Sequence, residues 1–111
     1  RQLNDDVAAI FSRYDVLLTP AMPSTAFAAE GPMPMEIDGQ RLRSPLHAVA
    51  FSYPFNMTGH AACVVRAGFG DDGLPIGLQL VTERGQDHLL LRLARACERV
   101  RPFDRWPQPP A

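Results

Sequence analysis

The spacing of apolar residues divides the chain into helical and extended elements. Over residues 1–14, apolar side chains recur every three or four positions, which predicts one face of an amphipathic helix: Leu3, Val7, Ile10, Phe11 and Tyr14. No capping residue precedes this helix, so we expect the chain to have been cut within or just before the element. Residues 15–20 form a continuously apolar run closed by Pro20, which predicts a strand covered on both faces.

A stretch rich in proline and glycine follows this strand. Residues 21–43 are predicted to form an irregular loop, and loops of this length in compact domains are usually functional or disordered. The Asp38-Gly39 pair inside it is a strong turn signal. We therefore predict a small hairpin over residues 36–42.

A second helix is predicted over residues 44–53. Ser44 supplies a side-chain oxygen as N-cap, and Pro45 fits the first helical position. Pro54 is expected to stop the helix. Its apolar face consists of Leu46, Val49, Ala50 and Tyr53.

The remaining residues predict a β-hairpin and a third helix. Strands over 61–69 and 76–82, joined by a glycine- and aspartate-rich turn, form the hairpin 61–82. Residues 87–100 carry a broad apolar band opposite an arginine stripe and predict an amphipathic helix. The proline-rich residues 101–111 are expected to be a C-terminal tail. The predicted order is α-β-loop-α-β-β-α, an α/β fold.

Composition indicates a soluble globular protein and argues against two classes of partner. Of the 111 residues, 46% are hydrophobic, and the net charge is -1. No apolar run approaches the ~20 residues that span a bilayer. A net charge this small gives no long-range attraction to nucleic acid or to anionic lipid. We therefore expect neither a nucleic-acid nor a membrane partner.

The cysteines and histidines give no metal site. Cys63 and Cys97 lack metal-type spacing, which indicates free thiols in a reducing, cytoplasmic compartment, although one disulfide stays open. His60 and Cys63 are close in sequence, but nothing supplies the remaining ligands of a zinc site. We expect structural roles for His47, His60 and His88, and we expect neither a metal nor a cofactor.

A glycine motif at residues 68–73 matches GxGxxG, the fingerprint of dinucleotide-binding turns. That function needs a helix that begins inside the motif and directs backbone N–H groups at phosphate. Here a strand follows, and Asp71 and Asp72 would repel phosphate. The motif is therefore interpreted as the turn of the hairpin.

Three stretches together resemble the C-terminal end of amidase-signature enzymes, which hydrolyse or transfer C–N amide bonds. They are Tyr14-Asp15-Val16-Leu17-Leu18-Thr19-Pro20, the run from Phe51 through Asn56-Met57-Thr58-Gly59, and Gly73-Leu74-Pro75-Ile76-Gly77-Leu78-Gln79-Leu80. The resemblance implies the C-terminal part of an α/β/α sandwich with a mixed sheet. It covers nearly the whole chain and is weakest between Ala21 and Arg43.

The catalytic apparatus of that family is a serine nucleophile, a second serine and a lysine base. All eleven basic residues of this chain are arginines, so it contains no lysine and no such triad. A serine hydroxyl is a weak nucleophile until a neighbouring base accepts its proton. We therefore expect a fragment of an amidase that is inactive alone and contains no catalytic residue. The expected partner is the N-terminal part of the parent amidase or another chain, which together bind a small amide substrate.

The resemblance also implies that the helix 44–53 helps to wall the substrate pocket, through Leu46, Val49 and Tyr53. Glutamine-dependent members carry an acidic residue ten positions before the glycine that matches Gly59, and this chain has Val49 there. An apolar amide substrate is therefore expected rather than glutamine. The chain also departs from the family by carrying Arg66 near a strand end, where a charged group needs a partner or water.

A second interpretation is a non-catalytic binding or assembly module that keeps the amidase-like fold, from a split or truncated gene. In either case an incomplete sheet leaves a strand edge and apolar helix faces uncovered, and such surfaces invite pairing. We therefore expect self-association through the sheet edge or through the helix Leu89–Val100.

Overall fold

The computed structural model describes residues 1–104. Its elements in chain order are α1 (Gln2–Phe11), β1 (Val16–Pro20), β2 (Glu36–Ile37), β3 (Gln40–Arg41), a 3-10 helix (Pro45–Val49), α2 (Tyr53–Thr58), β4 (Ala61–Phe69), β5 (Pro75–Thr82) and α3 (Asp87–Val100). The predicted first helix, first strand, hairpins and last helix are thus present. The segment 101–111, predicted as a tail, lies outside the described residues from position 105 onwards.

A three-stranded sheet with β5 in the centre organises the fold. β1 and β4 flank β5, and both pairings are antiparallel. Leu18 of β1 and Cys63 of β4 both lie opposite Leu80, and Thr19 and Val64 both lie opposite Gln79. Because side chains alternate along a strand, the Leu80 row and the Gln79 row lie on opposite faces of the sheet.

Helix α3 covers the Leu80 face. Val65, Leu80 and Leu90 form the buried cluster there, surrounded by partly buried apolar side chains: Ala61, Cys63, Leu78, Leu93, Ala94 and Cys97. The helix packs on β4 and β5, so Leu18 on β1 is 57% exposed on this face. The prediction that β1 is covered on both faces is therefore wrong for the described residues, because α3 does not extend over that edge strand.

The opposite face carries the segment that links the 3-10 helix to α2. Gln79 points from β5 into this side and donates a hydrogen bond to the carbonyl oxygen of Phe51 at 2.8 Å. This face leaves the other edge strand uncovered, since Val64 on β4 is 57% exposed. Each face is therefore packed over two strands and open over the third.

The helix predicted over residues 44–53 is wrong in its extent. Ser44 caps a short 3-10 helix by accepting from the Leu46 N–H at 3.3 Å, as its position before Pro45 indicates. The α-helix begins only at Tyr53, and Pro54 lies in its first turn instead of ending a helix. Proline suits that position because its missing N–H would have no intrahelical partner there. Gly59 ends α2 in the left-handed region with φ +71°.

Arg66 finds its partners in the chain that follows α3. Its guanidinium Nη2 donates to the carbonyl oxygens of Arg101 (3.2 Å) and Pro102 (2.6 Å). The guanidinium also lies over the rings of Phe69 and Phe103, 4.9 and 5.6 Å from their centroids. A register shift in β4 between Arg66 and Gly68 frees the carbonyl of Ala67, which accepts from Arg101 Nη1 at 2.7 Å. We call this set of contacts the arginine clamp.

Helix α1 is held against the rest of the protein by a buried histidine and an arginine. The ring of His60 stacks on Phe11 with centroids 5.1 Å apart. Arg84 donates from Nε to the carbonyl oxygen of Thr58 at 2.8 Å and from Nη2 to Asn4 Oδ1 at 3.0 Å. Val7 supplies the buried apolar contact of this helix.

Gly77 is required where β5 passes closest to its neighbours. A Cβ at this position would lie 2.8 Å from both Ala21 Cβ and Val64 Cγ1. The backbone is also fixed here, because the Ala21 N–H donates to the Gly77 carbonyl at 2.9 Å. The second glycine of the Gly-Leu-Pro-Ile-Gly-Leu-Gln motif is therefore explained by close approach.

We predict that Gly77→Ala destabilises the chain by about 1–3 kcal/mol, because the methyl group has no space without movement of Ala21 or Val64. Gly68→Ala is the matched control, since a Cβ there meets nothing within 4 Å. Urea denaturation of both variants measures the difference. Equal free energies of unfolding for the two variants would contradict the close-approach explanation.

We predict that stability falls as the pH is lowered from neutral. Burial, together with the positive charge of Arg84, lowers the pKa of His60 below its ordinary value of 6.5, although Glu83 acts in the opposite direction. The unfolded chain therefore binds a proton more readily than the folded one. The free energy of unfolding should fall as the pH drops through 6.5 towards the folded pKa.

Urea denaturation between pH 7.5 and pH 5 tests this expectation. His60→Gln should flatten the pH dependence in this interval, whereas His88→Gln, at an exposed position of α3, should leave it in place. An unchanged slope in His60→Gln would rule out His60 as its source.

Candidate functional site

The three residues predicted to wall a substrate pocket lie close together in sequence on the Gln79 side of the sheet. Leu46 and Val49 are in the 3-10 helix, and Tyr53 is the first residue of α2. Leu46 is 65% exposed and Tyr53 is 40% exposed, while Val49 is half-buried. Their assignment to a pocket wall stays a prediction, and we call the segment Leu46–Tyr53 the wall segment.

The wall segment contacts the rest of the protein through buried side chains that lie next to its exposed residues in sequence. Ala48 is fully buried, and Phe55 follows as a buried residue of α2. Ser52 donates from its hydroxyl to the Ala21 carbonyl at 3.4 Å, which is a long contact. The stronger polar contact is that of Gln79, whose Nε2 reaches both Phe51 O and, at 2.9 Å, Thr19 Oγ1.

Two cavities lie elsewhere in the described part of the chain. One of about 710 Å³ lies between residues 21–27, the middle of β4 and the start of β5. The other, of about 360 Å³, lies between α3 and the sheet, where Cys97 and Val100 face Val65 and Leu78. Neither is lined by the three predicted wall residues, and both are lined mainly by apolar side chains.

One cluster has the connectivity of a nucleophile, a base and an orienting carboxylate. Thr58 Oγ1 lies 2.8 Å from His60 Nδ1, and His60 Nε2 lies 3.3 Å from Glu83 Oε1 without hydrogen-bond alignment. Thr58 is only 4% exposed, and its hydroxyl also lies 3.0 Å from the Pro54 carbonyl. Neither cavity is lined by these residues. His60 thus packs against Phe11 of α1 and Thr58 of α2, and its purely structural role stays a prediction.

The glycine motif at residues 68–73 forms the hairpin turn that was predicted. The Gly70 N–H donates to the Leu74 carbonyl at 2.8 Å, and Gly73 has φ +78°. Asp72 accepts from the Thr25 hydroxyl at 2.6 Å and from the Leu74 N–H at 2.9 Å, and these hydrogen bonds lower the pKa of its carboxyl. The turn thereby fastens residues 21–27, so the aspartate has a structural partner.

The cysteines and the titratable side chains form no metal centre in the described residues. Cys63 and Cys97 are both free thiols, and burial raises the pKa of Cys63. Over residues 1–104, no three His, Cys, Asp or Glu side chains come together in a group that could hold a metal ion. No helix within this range is long and apolar enough to cross a bilayer.

Sequence reasoning missed Gln79 as a side chain that hydrogen-bonds to the wall segment. The available signal was an amide side chain in an otherwise apolar strand, next to the fully apolar Leu78 and Leu80. A buried polar side chain needs hydrogen-bond partners, and this one finds them on two other segments. The pattern alone did not identify those segments.

Comparison with known proteins gives consistent matches. The family model described as Amidase matches residues 1–91. An acylamidase from Rhodococcus erythropolis is 38% identical over 99 residues, which cover 89% of this chain and 21% of the relative. A glutamyl-tRNA(Gln) amidotransferase chain from Parvibaculum lavamentivorans is 37% identical over 106 residues, or 93% of this chain and 20% of the relative.

Solved structures agree with the sequence matches. A bacterial aryl acylamidase of the amidase signature family superposes with a TM-score of 0.78 at 30% identity, over 91% of this chain and 21% of the other. A 6-aminohexanoate cyclic dimer hydrolase superposes with a TM-score of 0.74 at 28% identity, over 95% and 23%.

The predicted α/β fold class is thereby confirmed, with an antiparallel sheet and helices in the described residues. The chain spans about one fifth of the length of the relatives that it matches. Since the family model covers most of the sequence, the chain belongs to the amidase family.

Proposed function

We propose that this chain is the C-terminal scaffold segment of an amide-bond hydrolase and forms one wall of its substrate pocket. The parent reaction is acyl transfer from an amide to a serine, release of ammonia or an amine, and hydrolysis of the acyl-enzyme by water. The observation that carries the proposal is a family match over residues 1–91 in a chain that contains no lysine. The catalytic serines and lysine come from the rest of the enzyme.

The described part of the chain offers no accessible substitute for that apparatus. The Thr58–His60–Glu83 cluster is the nearest approach to a nucleophile with a base, and its threonine is buried. In the 710 Å³ cavity, the Thr25 hydroxyl donates to Asp72 rather than to a base. These contacts favour a scaffold role and no turnover by the isolated chain.

The proposed substrate is an apolar amide. The family resemblance implies an acidic side chain in glutamine-dependent members at the position of Val49 in the wall segment, and a valine cannot pair with an amino group. The similarity to enzymes named acylamidase and aryl acylamidase supports the same class. The two free thiols suit a reducing, cytoplasmic setting. A structure of the complete enzyme with a polar amino-acid ligand against Val49 would overturn this assignment.

We predict that the chain alone releases no nitroaniline from 4-nitroacetanilide, a chromogenic aryl acylamide. Mixed with the Rhodococcus acylamidase from which the matching 99-residue stretch has been deleted, it should restore turnover. The reason is that the chain supplies strands and a pocket wall, whereas the deleted enzyme keeps the catalytic groups. Absorbance of released nitroaniline measures both results.

The deleted acylamidase without added chain is the control. Turnover by the purified chain alone would refute the scaffold proposal. Failure of the folded chain to restore turnover, with the acylamidase's own stretch restoring it in parallel, would count equally against it.

The second candidate is a non-catalytic binding or assembly module with the amidase-like fold. The same absence of lysine from the sequence favours it. Intact-mass and N-terminal analysis of the protein from its natural source separates the two candidates. An upstream segment with two serines and a lysine supports the enzyme, and a natural start near Arg1 supports the module.

We predict that the isolated chain self-associates. Among residues 1–104, the outer edges of β1 and β4 have no strand partner. Leu18 on β1 and Val64 on β4 are each 57% exposed. Open edges with apolar neighbours favour pairing with a second copy. Light scattering at increasing concentration should show a rising mean mass, and a constant monomer mass would contradict the prediction.

A further inference from the structure

We infer that Gln79 is a positioning residue for the substrate-pocket wall, acting through the Phe51 carbonyl. The inference deepens the proposed function and rests on it for the identity of the wall segment. Its structural part, that one side chain of the central strand sets the place of Leu46–Tyr53, stands on the geometry alone.

Gln79 has the burial and the bonding of a fixed group. It is 5% exposed on the central strand β5. Its Nε2 donates to Thr19 Oγ1 at 2.9 Å and to Phe51 O at 2.8 Å. A side-chain amide has two N–H donors, so both are used. The side chain therefore ties β1, β5 and the wall segment together at one nitrogen atom.

The accepting carbonyl lies within the wall segment. Phe51 stands midway in sequence between Val49 and Tyr53, in the turn between the 3-10 helix and α2. The polar contact that Ser52 of this turn makes with Ala21 is long, at 3.4 Å. Burial of Ala48 and Phe55 packs the segment against the rest of the protein, but the hydrophobic effect is non-directional and does not set its orientation. The hydrogen bond from Gln79 to the Phe51 carbonyl is directional and sets that orientation.

Other side chains of similar size cannot replace this amide. Leucine would fill the space but leave the Phe51 carbonyl and the Thr19 hydroxyl without their donor. Glutamate would place a carboxylate against the Phe51 carbonyl oxygen, which needs a donor, and only the Thr19 hydroxyl could adapt by donating to it. Loss of a buried partner costs more than the net value of one hydrogen bond, because the group left behind is desolvated.

Hydrogen exchange on the isolated chain tests the structural part. The Ala50 and Ser52 amides donate within the wall segment, to His47 O (3.3 Å) and Val49 O (3.0 Å). In Gln79→Leu, both should exchange about tenfold faster, a factor that corresponds to about 1.4 kcal/mol. Exchange of the α3 amides should change only as much as the change in the variant's global free energy of unfolding requires.

Val65→Ala is the matched control, because Val65 is buried on the opposite face against Leu80 and Leu90. It should lower global stability and speed exchange in α3 without a selective effect at Ala50 and Ser52. Unchanged exchange at these two amides in Gln79→Leu would overturn the inference. Uniform acceleration throughout that variant would overturn it as well, since the residue would then act on global stability only.

Kinetics of the reconstituted acylamidase test the functional part. With Gln79→Leu, KM for 4-nitroacetanilide should rise about tenfold and kcat should change less than threefold, since the wall binds substrate and the catalytic groups lie elsewhere. With Val65→Ala, both constants should stay near those of the unchanged chain at saturating chain concentration. An unchanged KM in Gln79→Leu would overturn the positioning role while leaving the proposed function intact.

The two failures are distinguishable. If the unchanged chain restores no turnover, the proposed function fails and the inference loses its pocket. The exchange rates at Ala50 and Ser52 then still decide whether Gln79 fixes this segment.

Discussion

The structure depends on the central position of β5, whose two rows of side chains meet different environments. On one face of the sheet, Leu78 and Leu80 of β5 pack under α3. The other row includes Gln79, a buried amide that must donate twice. The backbone of the same strand pairs with β1 on one side and β4 on the other. A change in the register of β5 would therefore exchange the two faces and place the amide in the apolar cluster.

The motif Gly73–Leu80 acquires a physical explanation from this arrangement. Its first glycine adopts a left-handed turn conformation, Gly77 allows close approach of Ala21 and Val64, and Gln79 binds two other segments. None of these requirements involves a reacting atom. The contacts that the structure gives to this motif are therefore contacts within the fold.

The sequence predicted those parts of the fold that local patterns determine. The period of apolar residues located α3 and the hairpin 61–82, and glycine and aspartate at 70–73 identified the turn. The helix over 44–53 was misplaced because Pro54 can either end a helix or begin one, and here it begins a helix whose Phe55 and Thr58 are buried. Candidate-site residues Leu46, Val49 and Tyr53 came from the family resemblance. Gln79 donates to the carbonyl of Phe51, between Val49 and Tyr53, but it is remote in sequence, and no local pattern joins positions 51 and 79.

The arginine clamp and the attachment of α1 respond differently to acid. Its acceptors are the carbonyl oxygens of Ala67, Arg101 and Pro102, which do not titrate, and its donors are the guanidinium groups of Arg66 and Arg101. The attachment of α1 instead includes the stacking of Phe11 on His60, whose pKa is lowered in the folded protein by burial and by Arg84, so protonation of this ring opposes folding. Protonation of His60 should therefore weaken the docking of the amino-terminal helix, whereas the arginine clamp, which holds the chain after the carboxyl-terminal helix, contains no histidine.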